Sequence, residues 1–285
     1  MAISDTTAPR GAGAAFRAAL HSEWIRLRRS PLVALHAALS ASLGLAAGLY
    51  FAFTPWNALL GFDAFVQLLG AGAPLLAGMA CGLSLDSERE AGEYANLLGR
   101  PSRRAALAAK GCALLLLGIA ACVVATTLFS AVMAAVGRPL PSLAAMAASC
   151  CGASAGSVAL YSLFIAAALA WGRNAAIGLG ALGFMCALAS LGGLGNGLVT
   201  NTLSAASTPF AFVVVPFTWA TRLASLCIEL SIAGTGSVAA AQGAFEALSA
   251  STLEAGAVCA IGTAAITIAL LAGANRFEDV HRARD

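Results

Sequence analysis

Long apolar segments alternate with short polar ones along most of this chain. Six of them reach the roughly 20 residues that an α-helix needs to cross a bilayer. They are 32–53, 64–85, 105–136, 143–171, 175–194 and 252–274. We therefore expect an all-α polytopic membrane protein with six transmembrane helices in a single domain over residues 1–285. Gly44 with Gly48, and Gly78 with Gly82, have the four-residue spacing that lets membrane helices pack closely.

The only long polar run between two apolar segments is 86–110, where four acids precede a group of basic residues. Ser87 and Glu90 have the spacing of a capping box, at which a helix can begin. Gly99 followed by Pro101 can end that helix. The loop 86–104 is therefore predicted to hold a capped helix of about ten residues, roughly 15 Å long. Such a helix can transmit force to a partner; the alternative is a solvated loop that happens to be helical.

The segment 13–30 predicts an amphipathic helix at the membrane interface. Its apolar stripe recurs at helical spacing through Phe16, Leu20, Trp24 and Leu27. Trp24 suits the depth of the lipid headgroups, Glu23 falls beside the stripe, and the basic residues lie away from it. The alternative is an ordinary basic flank of the first span.

Composition and charge support the membrane assignment and orient it. The chain is 60% hydrophobic and 10% charged, whereas soluble domains carry about 25% charged residues. With six spans and a cytoplasmic N-terminus, Arg138 and Arg222 are the only two of the 16 Lys and Arg residues on the outer side. The positive-inside rule therefore predicts that both termini and the loop 86–104 are cytoplasmic.

The segment 196–251 is predicted to lie on the outer face. Pro209 and Pro216 interrupt it, and Arg222 and Glu229 would be costly at the bilayer centre. One or two short helices that dip into the bilayer edge fit better than a seventh span. The acids of this outer side, Glu229, Glu246 and Glu254, are interpreted as solvated surface charges, although they can also attract a cationic peptide.

Within the predicted spans, ionisable residues are nearly lacking. Asp63 and Gln67 stand at the outer start of the second span, where snorkelling or helix capping accounts for them. Ion-coupled transporters and intramembrane enzymes usually need acids or histidines at membrane depth. The sequence therefore argues against both classes.

Motifs for intrinsic chemistry are lacking too. The chain has no P-loop, since its one lysine, Lys110, follows RAALAA. Its eight cysteines are scattered through apolar runs, and its three histidines are dispersed, so no metal site is predicted. We expect a protein that is not an enzyme, binds no nucleic acid, and takes any energy for transport from another subunit.

Several stretches resemble the type-2 permeases of ATP-binding-cassette transporters, and most closely the lantibiotic self-immunity permeases. These stretches are 22–30 (SEWIRLRRS), 88–101 (EREAGEYANLLGRP), Lys110, and 215–222 (VPFTWATR) with its Pro-x-x-Trp-x-x-Arg pattern. Two positions depart from that family. It usually has Lys where Arg26 or Arg28 stands, and often has Asp at the position of Asn196.

This resemblance implies one half of an exporter in a bacterial cytoplasmic membrane. The chain would pair with a second copy of itself or a homologous permease, and with separate P-loop ATPase subunits that hold ATP and Mg; the chain itself would hold no cofactor. The loop helix would dock on the ATPase through Glu88, Glu90, Glu93, Tyr94, Leu97, Leu98 and Arg100. The N-terminal helix would lean on it near Glu23 and Trp24. The substrate implied is a cationic, amphipathic peptide expelled from the membrane, with no binding residues indicated.

Three other functions remain open. The cargo of such a permease can instead be a drug, a lipid or a polysaccharide. A membrane scaffold without a transport cycle would share the same hydrophobic pattern. An enzyme of lipid modification would need polar residues within the spans, which this pattern disfavours.

Overall fold

The computed structural model describes residues 12–98, 102–191, 194–203, 205, 209–235 and 244–273. These residues form helices joined by short turns, and no β-strand occurs among them. In chain order the helices are α1 (Ala12–Leu27), α2 (Pro31–Phe53), α3 (Ala58–Glu90), α4 (Ala95–Leu98), α5 (Arg103–Ala135), α6 (Leu143–Trp171), α7 (Arg173–Ala189), α8 (Leu194–Thr200), α9 (Phe210–Val214), α10 (Trp219–Thr235) and α11 (Ala244–Gly273). A 3₁₀ turn, Pro216–Thr218, links α9 to α10.

Five of the described helices are long and apolar enough to cross a membrane: α2, α3, α5, α6 and α11. The all-helical, multi-pass character predicted from the sequence is thereby confirmed. The remaining predicted span, 175–194, corresponds to α7, an apolar helix of 17 residues. Its length of about 26 Å falls short of a hydrocarbon core of about 30 Å.

Polar side chains fix where several spans begin. The Asn57 side chain accepts hydrogen bonds from the backbone N–H groups of Leu59 and Leu60 and caps α3. Ser30 caps α2 in the same way, with Pro31 at the first helical position. Ser102 caps α5. These caps satisfy N–H groups that have no partner within their own helix.

The helix start predicted at Ser87 is wrong. There α3 continues without a break to Glu90, and the Ser87 hydroxyl donates to the carbonyl of Ser84 in the preceding turn. A turn over residues 91–94 follows, and the described residues between this turn and α5 form only the four-residue α4. The predicted ten-residue capped helix is thus replaced by an extension of a span.

Helix α10 lies inside the bundle, packed against α6, α3 and α11. Trp219, Ala220, Ala224 and Ile228 are buried at these contacts. The sequence predicts short helices at the outer edge of the bilayer here, and the depth of α10 in the bilayer stays a prediction. Arg222 and Glu229, which argued against a buried helix, are both buried in the packed structure.

Two predictions about acidic residues also change. Asp63 and Gln67 neither cap a helix nor snorkel; both are buried and face α10. Glu229 is buried as well, whereas Glu246 and Glu254 are exposed as expected. Burial of the carboxylates follows from hydrogen bonds across helices that local sequence does not reveal.

Both predicted glycine pairs lie at close helix contacts, which confirms their packing role. Gly44 and Gly48 let α2 approach α5; a Cβ at Gly48 would lie 3.0 Å from the Val132 Cβ. Gly78 and Gly82 let α3 approach α7, and a Cβ at Gly78 would lie 2.7 Å from the Ala176 carbonyl oxygen. In lipid, helices are not driven together by the hydrophobic effect, so their association depends on the close packing that these glycines allow.

Gly70→Ala should separate α3 from α10, because the added Cβ would lie 2.5 Å from the Thr221 Cα. We expect a loss of about 1–3 kcal/mol in unfolding free energy. Gly72→Ala is the matched control on the same helix, since nothing lies within 4 Å of its added Cβ. Unfolding of the purified chains in detergent measures both. Equal stability of the two variants would show that α10 is not packed on Gly70.

Candidate functional site

Lys110 is the centre of a charged cluster between α1, α3 and α5. Its side chain is only 2% exposed. The ammonium nitrogen lies 2.8 Å from Glu23 Oε2, 3.2 Å from Glu88 Oε1 and 3.2 Å from the Ser84 hydroxyl. These three contacts use all three donors of a lysine. A cation without such partners would be expensive to bury.

Arg26 completes the cluster from its half-buried position on α1. It donates to Glu88 Oε1, to Glu23 Oε1 at 3.3 Å and to the Ser22 hydroxyl at 3.4 Å. Two acids and two bases thus neutralise one another. We call Glu23, Arg26, Glu88 and Lys110 the charged junction. It fastens the N-terminal helix to the ends of two spans.

The predicted apolar stripe of α1 is confirmed only in part. Leu27 is buried and Leu20 packs against the same apolar core, which includes Leu32 of α2. Trp24 is 48% exposed and points away from that core. Glu23, which the pattern placed beside the stripe, takes the buried position because Lys110 neutralises it.

A second set of ion pairs ties α3 to α7. Asp86 accepts hydrogen bonds from Arg173 at 2.8 Å and from Arg89 at 2.7 Å. Both arginines are about half exposed. Solvent screens such pairs, so they orient the helix ends more than they stabilise them.

The turn after α3 reverses the chain through left-handed backbone. Gly92, Glu93 and Tyr94 all have positive φ, at 151°, 49° and 63°. The Glu93 and Tyr94 N–H groups donate to the carbonyls of Arg89 and Glu88, which satisfies the end of α3. The reversal directs Tyr94 inward and leaves Glu93 exposed.

Tyr94 and Leu97 anchor this loop in the apolar core. Leu97 is 1% exposed and, like Tyr94, belongs to the cluster that contains Leu107 of α5. Burial raises the pKa of the Tyr94 phenol, so the ring stays neutral in its packed position. The loop therefore moves with α5 and α3.

The residues predicted to contact an ATPase divide into two groups. Trp24, Glu90 and Glu93 are exposed and available to a partner. Glu23, Glu88, Tyr94 and Leu97 are buried within the chain, where they position the exposed ones. The Leu98 side chain and Arg100 lie outside the described residues.

Sequence reasoning underestimated Lys110. The residue was notable as the one lysine and as part of a family resemblance, but its partners lie 22 and 87 positions away. The signal in the sequence was that Glu23, Arg26, Glu88 and Lys110 lie near the ends of three helices, which are α1, α3 and α5. Only the packing of those helices shows which charges meet.

Between α2, α3, α5 and α6 lies an apolar cavity of about 230 Å³. Leu43, Leu76, Met79 and Ile119 line it, with the Tyr161 ring at one side. No charged residue is among the described residues that line it. Because apolar side chains make up most of the lining, the cavity suits an apolar group.

Nothing in the described part of the chain resembles a metal centre, since no three His, Cys, Asp or Glu side chains are grouped as one would require. No family model matches the chain, and no curated protein matches it.

Lys110→Met should destabilise the chain, because it leaves Glu23 and Glu88 buried with only Arg26 to neutralise them. Breaking a buried ion pair costs about 3–5 kcal/mol. A second change, Glu23→Gln, removes one stranded carboxylate and should recover part of that loss. Arg104→Met, an exposed base on the same helix, is the control. Unfolding in detergent measures the stability of each variant. Equal stabilities of Lys110→Met and Arg104→Met would refute the junction.

Proposed function

We propose that this chain is the permease subunit of an ATP-driven exporter of the type-2 ATP-binding-cassette class. In this proposal six helices cross the bacterial cytoplasmic membrane, α7 being the short fifth, and both termini are cytoplasmic. The observation that carries the proposal is the charged junction. It joins an interfacial helix, the end of one span and the start of another into a single unit.

Force transmission is what such a unit does well. Helices α3 and α5 each have 33 residues, or about 50 Å of continuous helix, and the junction lies near one end of both. A partner that pushes on this end would move both helices together, because the buried ion pairs oppose independent motion. A ligand of the partner can thereby bias two arrangements of the spans.

The exposed surface beside the junction is the proposed docking face. Glu90 and Glu93 present negative charge on the exposed surface of the loop, and Trp24 presents an aromatic ring on α1. Aromatic anchors with a charged rim are typical of protein interfaces. The partner would be a P-loop ATPase that holds ATP and Mg, paired with a second permease chain or a homologue.

The cargo proposed is an amphipathic cationic peptide of the lantibiotic kind, exported to give self-immunity. The resemblance of 22–30, 88–101 and 215–222 to immunity permeases supports it. The apolar cavity supports a second candidate, export of a lipid or another apolar molecule. It disfavours polysaccharide, which would need hydrogen-bonding walls. If the chain were a scaffold without a transport cycle, no ATPase would bind the docking face.

An affinity-tagged chain, purified in mild detergent, should recover a P-loop ATPase and a permease. The double variant Glu90→Arg/Glu93→Arg should reduce recovery of the ATPase about tenfold or more, since it reverses two charges on the docking face. Glu246→Arg is the control, an exposed acid near the start of α11. Mass spectrometry of the eluates measures both.

Two results would count against this proposal. Recovery of the chain without any ATPase favours the scaffold. Equal ATPase recovery by the double variant and the control would show that Glu90 and Glu93 do not form the docking face. The assignment to the transporter class would still stand.

A peptide tag inserted after Ala240 should be labelled from outside intact cells, because six spans place the α10–α11 connection on the outer side. A tag at the N-terminus, labelled only after permeabilisation, is the matched control. Labelling after Ala240 only in permeabilised cells would contradict the six-span topology.

A further inference from the structure

A buried polar seam joins α3 to α10, far from the charged junction. The Ser225 hydroxyl donates to Asp63 Oδ1 at 2.7 Å. The Gln67 amide donates to Asp63 Oδ2 at 2.6 Å and to the Ser225 oxygen at 3.0 Å. All three residues are at least 95% buried. Asp63 therefore receives two hydrogen bonds but no cation.

Glu229 stands one helical turn beyond Ser225 and is only 1% exposed. Its two carboxylate oxygens accept from the Ala205 backbone N–H at 3.0 and 2.9 Å. Residues four apart lie on one face of a helix, so Glu229 shares the face of α10 from which Ser225 donates to Asp63. Two acids 166 positions apart in the sequence thus meet in a buried site.

One turn before Ser225 on α10, the seam contains polar groups without hydrogen-bond partners. Thr221 lies opposite Gly70, and its hydroxyl oxygen is buried without a hydrogen-bond partner. Next to it, the Arg222 Nε and Nη1 atoms are buried and unpartnered, and this guanidinium interacts electrostatically with Glu254 of α11 and with Glu229, two turns along the same face. Buried polar atoms are rarely left unsatisfied. These atoms lie about two turns of α10 from Glu229.

Two carboxylates that are buried side by side repel each other strongly, so such a pair binds a proton more readily than an isolated acid does. Glu229 has an N–H group and Arg222 as partners that favour a negative charge, whereas Asp63 has no cation. Asp63 is therefore the acid on which a proton is placed at least cost.

We propose that Asp63 and Glu229 form a proton-binding site that fastens α10 to α3. When the proton leaves to water, two adjacent carboxylates remain, and their repulsion separates the helices. The ionisable groups facing the pair are Arg222 on α10 and, through it, Glu254 on α11; α8 carries no ionisable residue. This site shares no residue with the docking face, and its role goes beyond the proposed transport function.

The test uses the purified full-length chain in lipid nanodiscs. Infrared spectroscopy at neutral pH should show the carbonyl stretch of a protonated carboxylic acid in the native chain and its loss in Asp63→Asn. The native melting temperature should fall as the pH rises from about 5 to about 8, because the folded state then holds a proton that an unfolded aspartate has released.

Asp63→Asn should lack this pH-dependent fall, since its amide accepts from Ser225 without titrating. Glu229→Gln is the second variant, in case the first does not fold; it removes the neighbouring acid but leaves Asp63 buried, so it should reduce the fall without abolishing it. Glu254→Gln, an exposed acid near Arg222, is the control and should keep the native slope.

The proposal fails if the protonated-acid band is missing from the native chain or survives in both variants. It also fails if both variants keep the native dependence of melting temperature on pH. Loss of the slope in Glu254→Gln alone would assign the titration to the Arg222 neighbourhood instead.

Discussion

The buried ammonium of Lys110 is the constraint on which the arrangement of this protein depends. A lysine at 2% exposure is stable only where carboxylates meet it, and Glu23 and Glu88 do so from two other helices. Arg26 offsets the second negative charge. The junction therefore specifies one register of α1, α3 and α5, because sliding any helix by one turn would strand a charge. Replacing the cluster with apolar residues could leave stability intact while losing that register.

Helix α3 carries a polar cluster near each end. Asp63 and Glu88 are separated by about 38 Å of helix, somewhat more than the hydrocarbon thickness of about 30 Å. Apolar and small residues fill the interval, including the glycines that admit α7 and α10. The two clusters use different chemistry. At Glu88, cations neutralise the acids; at Asp63, hydrogen bonds and the proposed proton take that place. Because α3 carries both clusters, motion of this helix would affect the proposed docking face and the α10 seam together.

The hydrophobic pattern predicted much of the fold correctly. Apolar runs locate α2, α3, α5, α6 and α11, since length and apolarity suffice for a helix in lipid. Ser102 and Asn57, which the hydrophobic pattern did not identify, cap α5 and α3 by local hydrogen bonds. Gly44, Gly48, Gly78 and Gly82 were identified as packing positions by spacing alone. Prediction failed at Ser87, where a valid capping pattern lies inside a longer helix because Glu88 is held to the bundle by Lys110.

The sequence by itself therefore determined the class of fold, the membrane setting and the segments that form helices, because these follow from interactions between near neighbours. Tertiary structure alone decided which charges are compensated. Arg222 and Glu229 argued for an exposed α10, yet both are buried. Asp63 resembled a residue at a helix end, yet it is buried and accepts a hydrogen bond from Ser225 of α10. The sequence shows where burying a charge would be costly. The partner that offsets this cost comes from a helix distant in sequence, so only tertiary packing identifies it.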